Sequence, residues 1–144
     1  MSDAQELAEK VVHKMYDNDD FSQWMGVEIV EIKPMCSVVR MKIRKEMLNG
    51  HDVCHGGIPF ALADTAFAFA SNTQGRIALS IDTSMSYTAK IFEGDEITAT
   101  AKELTTGNKI AKYDVTLTNQ KNELVGLFRG TVYMTNEKHF EDEN

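Results

Sequence analysis

Gly56-Gly-Ile-Pro-Phe-Ala-Leu-Ala-Asp-Thr-Ala-Phe-Ala-Phe-Ala70 is the stretch whose reading decides the fold. It is alanine-rich and almost wholly apolar, and Pro59 stands near its start, where a helix makes no use of the missing N–H. It therefore reads as a helix, and one that is apolar on every side has to be wrapped by other elements. The wrapping lies on both flanks. Downstream, residues 77–88, 96–104, 109–118 and 124–134 are β-branched or alternating, and Glu93-Gly-Asp95, Thr106-Gly-Asn108 and Asn119-Gln-Lys-Asn122 punctuate them as turns. Upstream, Val27, Ile29, Val30 and Ile32 flank charges, Lys33-Pro34 breaks the run, and Val39, Met41 and Ile43 alternate with Arg40, Lys42 and Arg44, which predicts two antiparallel strands. Before them, Ser2-Asp-Ala-Gln5 has the form of a capping box, and Leu7, Val11, Val12 and Met15 recur at helical spacing. Residues 3–17 thus form a short amphipathic helix, ended by Asp17-Asn-Asp-Asp20. Short turns favour antiparallel neighbours, so the expected fold is α+β, one antiparallel sheet curled around a central helix.

The 144 residues suit a single folding unit, and 42% apolar content with two prolines and nine glycines supplies a real core, which excludes a multidomain enzyme, disorder and collagen-like repeats. The expected division is an amphipathic helix over 1–20, one domain over 21–135 and an acidic, frayed tail over 136–144. Fifteen basic against twenty-two acidic residues leave a formal charge of −7, which repels nucleic-acid phosphates and anionic lipid, so neither is an expected partner. Cys36 and Cys54 cannot build a disulfide framework, the first thirty residues hold no apolar run of signal-peptide length, and no window approaches the roughly 20 apolar residues of a membrane span. A cytoplasmic protein is expected.

The chemistry concentrates in Asn49-Gly-His-Asp-Val-Cys-His-Gly-Gly-Ile-Pro-Phe-Ala-Leu-Ala-Asp64. His55 and Gly56 stand where a loop enters the buried helix. Glycine there exposes backbone N–H groups, and a helix start carries about half a positive charge, so this turn suits a carbonyl oxygen becoming an oxyanion; it equally suits a tight turn and nothing more. Asp64 falls four residues after Phe60 and three before Phe67, on a face with two aromatic rings, where an unpaired charge is costly. Two explanations stay open: a buried hydrogen bond to a neighbouring strand, or a general base or nucleophile tuned by desolvation. Gly56 and Asp64 are eight helical residues apart, hence roughly 12 Å along the axis, whereas an oxyanion donor and an attacking group must meet at one reacting centre. If both act, two copies must pack their central helices antiparallel about a twofold axis.

The string from Asn49 to Asp64, followed by Thr65-Ala-Phe-Ala68 and later Phe128-Arg-Gly130, resembles the hot-dog-fold acyl-CoA thioesterases. Within them it is most similar to the PaaI-like branch, named for the hydroxyphenylacetyl-CoA thioesterase of phenylacetate degradation, over residues 20–135. The resemblance implies that Asp64 is the carboxylate that attacks the thioester carbonyl or directs water at it, and that the Gly56 N–H polarises that carbonyl. It implies that Asn49 holds the acyl end or the water and that His55 orients the thioester. Ser80 falls near the water-positioning hydroxyl, with Asp82 as the other reading of that place. Gly57 and Thr65 are expected to line the substrate, and Lys90, Lys109 and Arg129 are the candidates for meeting the CoA phosphates. The resemblance further implies a homodimer with shared sites, commonly paired into a homotetramer, and no cofactor beyond the CoA of the substrate.

A thioester is already activated, so a carboxylate and an electrophilic helix start suffice without a serine triad or a metal. His51, Cys54 and His55 have the composition of zinc ligands but lack a fourth member and paired Cys-x-x-Cys spacing. Adjacent Cys54 and His55 point to opposite sides of an extended loop, which disfavours a cysteine hydrolase and favours an inert thiol. The remaining alternatives are a hot-dog enoyl-CoA hydratase or dehydratase and a non-catalytic acyl-CoA-binding protein. Met35, Met41, Met47, Met85, Phe60 and Phe67 are expected in the core, an adaptable acyl pocket being their other use.

Overall fold

The computed structural model describes residues 2–141. Its elements are α1 (Asp3–Asp17), α2 (Asp20–Met25), β1 (Glu28–Lys33), β2 (Cys36–Lys42), α3 (Gly57–Asn72), β3 (Arg76–Tyr87), β4 (Glu96–Thr106), β5 (Ile110–Thr118) and β6 (Leu124–Lys138). The six strands form one antiparallel sheet in the order β1-β2-β4-β5-β6-β3. It curls around α3, whose Leu62, Ala63, Ala66, Phe67, Phe69 and Ala70 are buried in the single core. This is the hot-dog arrangement that the apolar helix and its flanking strands lead one to expect.

Alanines on α3 let the helix lie close to the sheet, and Gly130 on β6 lets it lie closer. A Cβ on Gly130 would fall 2.6 Å from the Phe67 ring. Beside that notch, Phe128 packs edge-on against Phe60 and tilted against Phe67, both with ring centroids at 5.6 Å. Met41 and Met47 are buried in the same core, with Met35 and Met85 partly buried against it.

Three features depart from expectation. Asp17–Asp20 ends one helix and also begins another: Asp19 accepts a hydrogen bond from the Ser22 N–H (2.9 Å), and Gly26, at φ 76°, closes α2 in the left-handed region. β3 does not pair with β4 but crosses to β6, because the Glu93–Asp95 turn is tied to the end of β2 through Gly94 N–H to Ile43 O (2.8 Å) and Ile43 N–H to Asp95 O (2.9 Å). The acidic end is not frayed as far as Phe140. β6 continues through Lys138, His139 bonds to Asn72 and to the Gly75 carbonyl, and Lys10 and Lys14 sit over the Phe140 ring. The rest of that tail, 142–144, lies outside the described residues.

The two sheet edges differ. β1 is six residues long, bulged between Ile29 and Glu31, charged, and flanked by α1. β3 is twelve residues long and carries Leu79 and Ile81 more than half exposed. Among the described residues, no helix is long and apolar enough to cross a membrane.

Filling the notch under Phe67 forces the helix off the sheet. Gly130→Ala is expected to lose about 1–3 kcal/mol of unfolding free energy, as overpacked cores do, read by urea denaturation. A variant as stable as wild type would show that the Phe67 ring moves aside freely.

Candidate active site

The loop before α3 is folded by Asn49. Its side-chain oxygen accepts the N–H groups of His51 (2.8 Å) and Val53 (3.4 Å), and its backbone N–H bonds to Val53 O (2.8 Å). The returning chain is anchored by Cys54 N–H to Ile91 O (2.7 Å) and His55 N–H to Met47 O (2.8 Å), which sets His55 and Gly56 at the start of the helix. The Asn49 oxygen is therefore committed to the loop. Its amide group donates to no described residue.

At the helix start the His55 ring takes the place of a capping side chain: Gly57 N–H donates to His55 Nδ1 at 2.9 Å. With Nδ1 accepting, Nε2 carries the proton of the neutral ring. The Gly56 N–H has no acceptor among the described residues, while its carbonyl accepts Phe60 N–H (3.2 Å) and the Tyr87 hydroxyl (2.9 Å). Gly56, Pro59, Tyr87, Lys90 and Ile91 line one cavity of about 340 Å³. A free N–H at the positive end of a sixteen-residue helix is an electrophilic donor.

Asp64 lies two turns further along α3. It is half-buried, burial raises its carboxyl above the usual aspartate range, and no hydrogen bond or ion pair joins it to a described residue. Of the two explanations for a carboxylate at this place, the buried hydrogen bond to a strand is absent among the described residues. Because α3 is continuous, Asp64 and Gly56 remain roughly 12 Å apart along its axis and cannot meet in one chain.

The other sequence candidates are scattered. Ser80 is exposed and pairs with Val132, a core residue, so it lies on the helix-facing side of β3, whereas Asp82, beyond the bulge, pairs with Thr131, whose hydroxyl accepts from exposed Lys112 on the outer side. The Thr65 hydroxyl is engaged by Ser22 at 2.9 Å, and the Gly57 N–H by His55. Lys90 lies with Gly56. Lys109 sits at the opposite end of β3, where its carbonyl accepts Met134 N–H and Arg76 bonds the neighbouring Asn108 carbonyl. Arg129 is on the outer sheet face, held by both oxygens of Asp114 at 2.7 and 3.0 Å. Within one chain, then, the structure gathers His55, Gly56, Gly57 and Lys90 but not Asp64, Lys109 or Arg129. The Cys54 thiol is buried and pushed up to about 11, which makes it a poor nucleophile.

Tyr87 and Ser22 are site neighbours that sequence reasoning missed. Each acts through a contact between residues 31 and 43 positions apart, respectively, for which no local spacing exists.

A curled sheet around one buried helix is the hot-dog fold, and here it carries a free N–H at the helix start and an unpaired carboxyl midway along it, among the described residues. Residues 51–126 match the family described as the Thioesterase superfamily. The acyl-coenzyme A thioesterase PaaI of Escherichia coli is 42% identical over 82% of this chain and 84% of its own. A protein of Archaeoglobus fulgidus is 44% identical over 92% of this chain and 86% of its own. The structure of E. coli PaaI superposes with a TM-score of 0.92, covering 94% of this chain and 98% of that one at 37% identity. The chain belongs to the thioesterase superfamily and is PaaI-like.

The raised Asp64 carboxyl has a consequence for stability. The folded state binds that proton more tightly than the unfolded chain, so the contribution is most favourable below the ordinary aspartate range and is lost as pH rises through the folded value. Asp64→Asn should therefore unfold at higher urea than wild type at pH 7, with the gap closing toward pH 3. An equal gap at both pH values would mean that desolvation of the charge is not the cause.

Proposed function

We propose that this thioesterase hydrolyses acyl-CoA to a free carboxylic acid and CoA at two equivalent sites, each shared across a homodimer. The observation that carries this reading is the pair of uncommitted groups on one rigid helix: the Gly56 N–H at its start and the Asp64 carboxyl roughly 12 Å along it. Antiparallel packing of two such helices brings the N–H of one copy opposite the carboxylate of the other. The β3 edge supports that pairing, since a long, unpaired, partly apolar edge strand is a template for a second copy, and the opposite edge is blunted.

In the shared site the Gly56 N–H, backed by the helix dipole, takes the thioester carbonyl oxygen as it becomes an oxyanion. Asp64 of the other copy either takes a proton from water, whose oxygen then adds to the carbonyl carbon, or adds to that carbon itself and is released by water. In both routes the C–S bond breaks and the CoA thiolate leaves, later to be protonated. His55 donates from Nε2 toward the thioester end, Asn49 offers its free amide across the interface, and Ser80 holds the water. Gly57 and Thr65 act as walls of the binding channel, their polar groups being spent on His55 and Ser22. Lys90, beside Gly56, meets the phosphates at the mouth. Lys109 and Arg129 serve only if the partner's geometry brings them there. The chemistry needs no metal or cofactor.

An aryl-acetyl or medium-length acyl group is the proposed substrate class, supported by the likeness to E. coli PaaI, a protein from the phenylacetic acid degradation operon. A dimer of dimers in the cytoplasm completes the reading. It is supported by the exposed row Leu79, Tyr133 and Ile110, in register across three strands on the outer sheet face.

CoA thiol release across aryl- and alkanoyl-CoA esters tests the activity, with Asp64→Ala and Asp64→Asn expected to lower kcat by roughly a hundredfold or more. Full activity in both variants would remove Asp64 from the mechanism, and enoyl-CoA hydration without thiol release would make the protein a hydratase. The shared site has its own test. Gly56 has φ −57°, which proline adopts, so Gly56→Pro deletes the N–H; mixing it with Asp64→Ala subunits should restore about a quarter of wild-type activity, one intact site in half the dimers. No recovery in confirmed mixed dimers would place both groups in separate sites. Ile81→Lys on the β3 edge should give inactive monomers by light scattering, and active dimers would move the interface elsewhere.

A further inference from the structure

We infer that Tyr87 is a positioning residue for His55, acting through the peptide group shared by Gly56 and Gly57; the inference rests on the thioesterase reading above. Tyr87 ends β3, on the strand face turned toward α3, in register with Gly126. Its ring lies 3.2–3.3 Å from where a Cβ on Gly56 would stand, and its hydroxyl donates to the Gly56 carbonyl at 2.9 Å.

That bond is not needed to satisfy the carbonyl. Phe60 N–H already reaches it at 3.2 Å, as the first intrahelical bond of α3, and Tyr87 is 54% exposed, so its hydroxyl has water as an alternative partner. What the second donor does is polarise the peptide. The N–H of this same peptide group belongs to Gly57 and donates to His55 Nδ1 at 2.9 Å. Three groups are thus joined in series and in one direction: the Tyr87 hydroxyl to the Gly56 carbonyl, and the Gly57 amide to the imidazole. Hydrogen bonds chained through a polarisable group strengthen one another by about 10–30% each.

The chain has one chemical outcome. Nδ1 is held as an acceptor, so the ring keeps its proton on Nε2 and its plane is set by a backbone amide that is itself braced from β3. A tautomer fixed by the partner of the other ring nitrogen is the usual means of orienting a histidine. The tyrosine also couples the two elements that flank the cavity, the β3 end and the first turn of α3, so the free Gly56 N–H and the His55 ring are referenced to the same strand.

Tyr87→Phe keeps the ring and removes the hydroxyl. The expected result is a kcat about fivefold to tenfold lower, the size of one hydrogen bond, with KM within about twofold and the thermal midpoint unchanged. In ¹⁵N spectra of the ring at pH 8, the His55 Nδ1 resonance should move toward that of a free neutral imidazole. A bulkier loss, Tyr87→Leu, should reproduce the Nδ1 change and add a fall in stability. Wild-type kcat in Tyr87→Phe, or an unmoved Nδ1 resonance, overturns the inference. A lower kcat that tracks a lower thermal midpoint with Nδ1 unmoved makes Tyr87 structural only, and overturns it as well. If wild-type protein releases no thiol from any ester, the proposed function fails, and the Nδ1 comparison still decides whether the hydrogen-bond chain exists.

Discussion

The ring of Phe67 occupies the space that a side chain on Gly130 would need, and this contact sets how deeply the helix sits in the sheet. Every other relation in the molecule is measured from that depth. Phe128 and Phe60 close around the same notch, and Ala63, Ala66 and Ala70 are buried with them against the strands. A helix held on nearly all sides has no freedom to bend or unwind, because each neighbour is packed to near-crystalline density. The distance between its first N–H and a carboxyl two turns on is therefore a constant of the fold. Function has to be arranged around that constant.

That rigidity explains why a single chain looks incomplete. Among the described residues, the helix start has an N–H with no acceptor, the middle of the helix has a carboxyl with no donor, and the long β3 edge has backbone groups with no partner strand. A carboxyl held half-buried without a partner is costly, since polar groups desolvated without partners destabilise a fold. The edge is open to a further strand, and the two polar groups are open to a ligand. On β1, by contrast, charges, a bulge and the covering α1 blunt the edge against pairing.

Much of this was legible in the sequence wherever the signal is local. Residues 3–17 were readable as α1 because Ser2 caps Gln5 three positions away, and α3 because apolar residues fill its whole circumference. Asp64 stood out for the same reason, as the one ionisable side chain inside that run. α2 escaped because the acidic residues that stop α1 are the residue types that cap a helix, and composition alone does not separate a stop from a start. The pairing of β3 with β6 escaped because the Glu93–Asp95 turn has hairpin composition while its backbone is tied to Ile43. At the site, Gly56 and His55 were marked by their position before the helix, but the Ser22 claim on Thr65 and the Tyr87 claim on Gly56 are long-range and leave no periodic trace.

The candidate site is built from modest groups. Cys54 is adjacent to His55, yet its thiol is buried and pushed up to about 11, and the ring beside it is committed to capping the helix. The thiol and one ring nitrogen, Nδ1, are thus spent on structure. Among the described residues, the Gly56 N–H, the Asn49 amide group, the other ring nitrogen and a carboxyl whose proton affinity burial has raised are left uncommitted. A thioester, with a good leaving group and a readily polarised carbonyl, is matched to such modest equipment, whereas an amide or a simple ester would demand more. The candidate groups sit on the helix that is also the core, and a core tolerates a single half-buried carboxyl better than a polar triad.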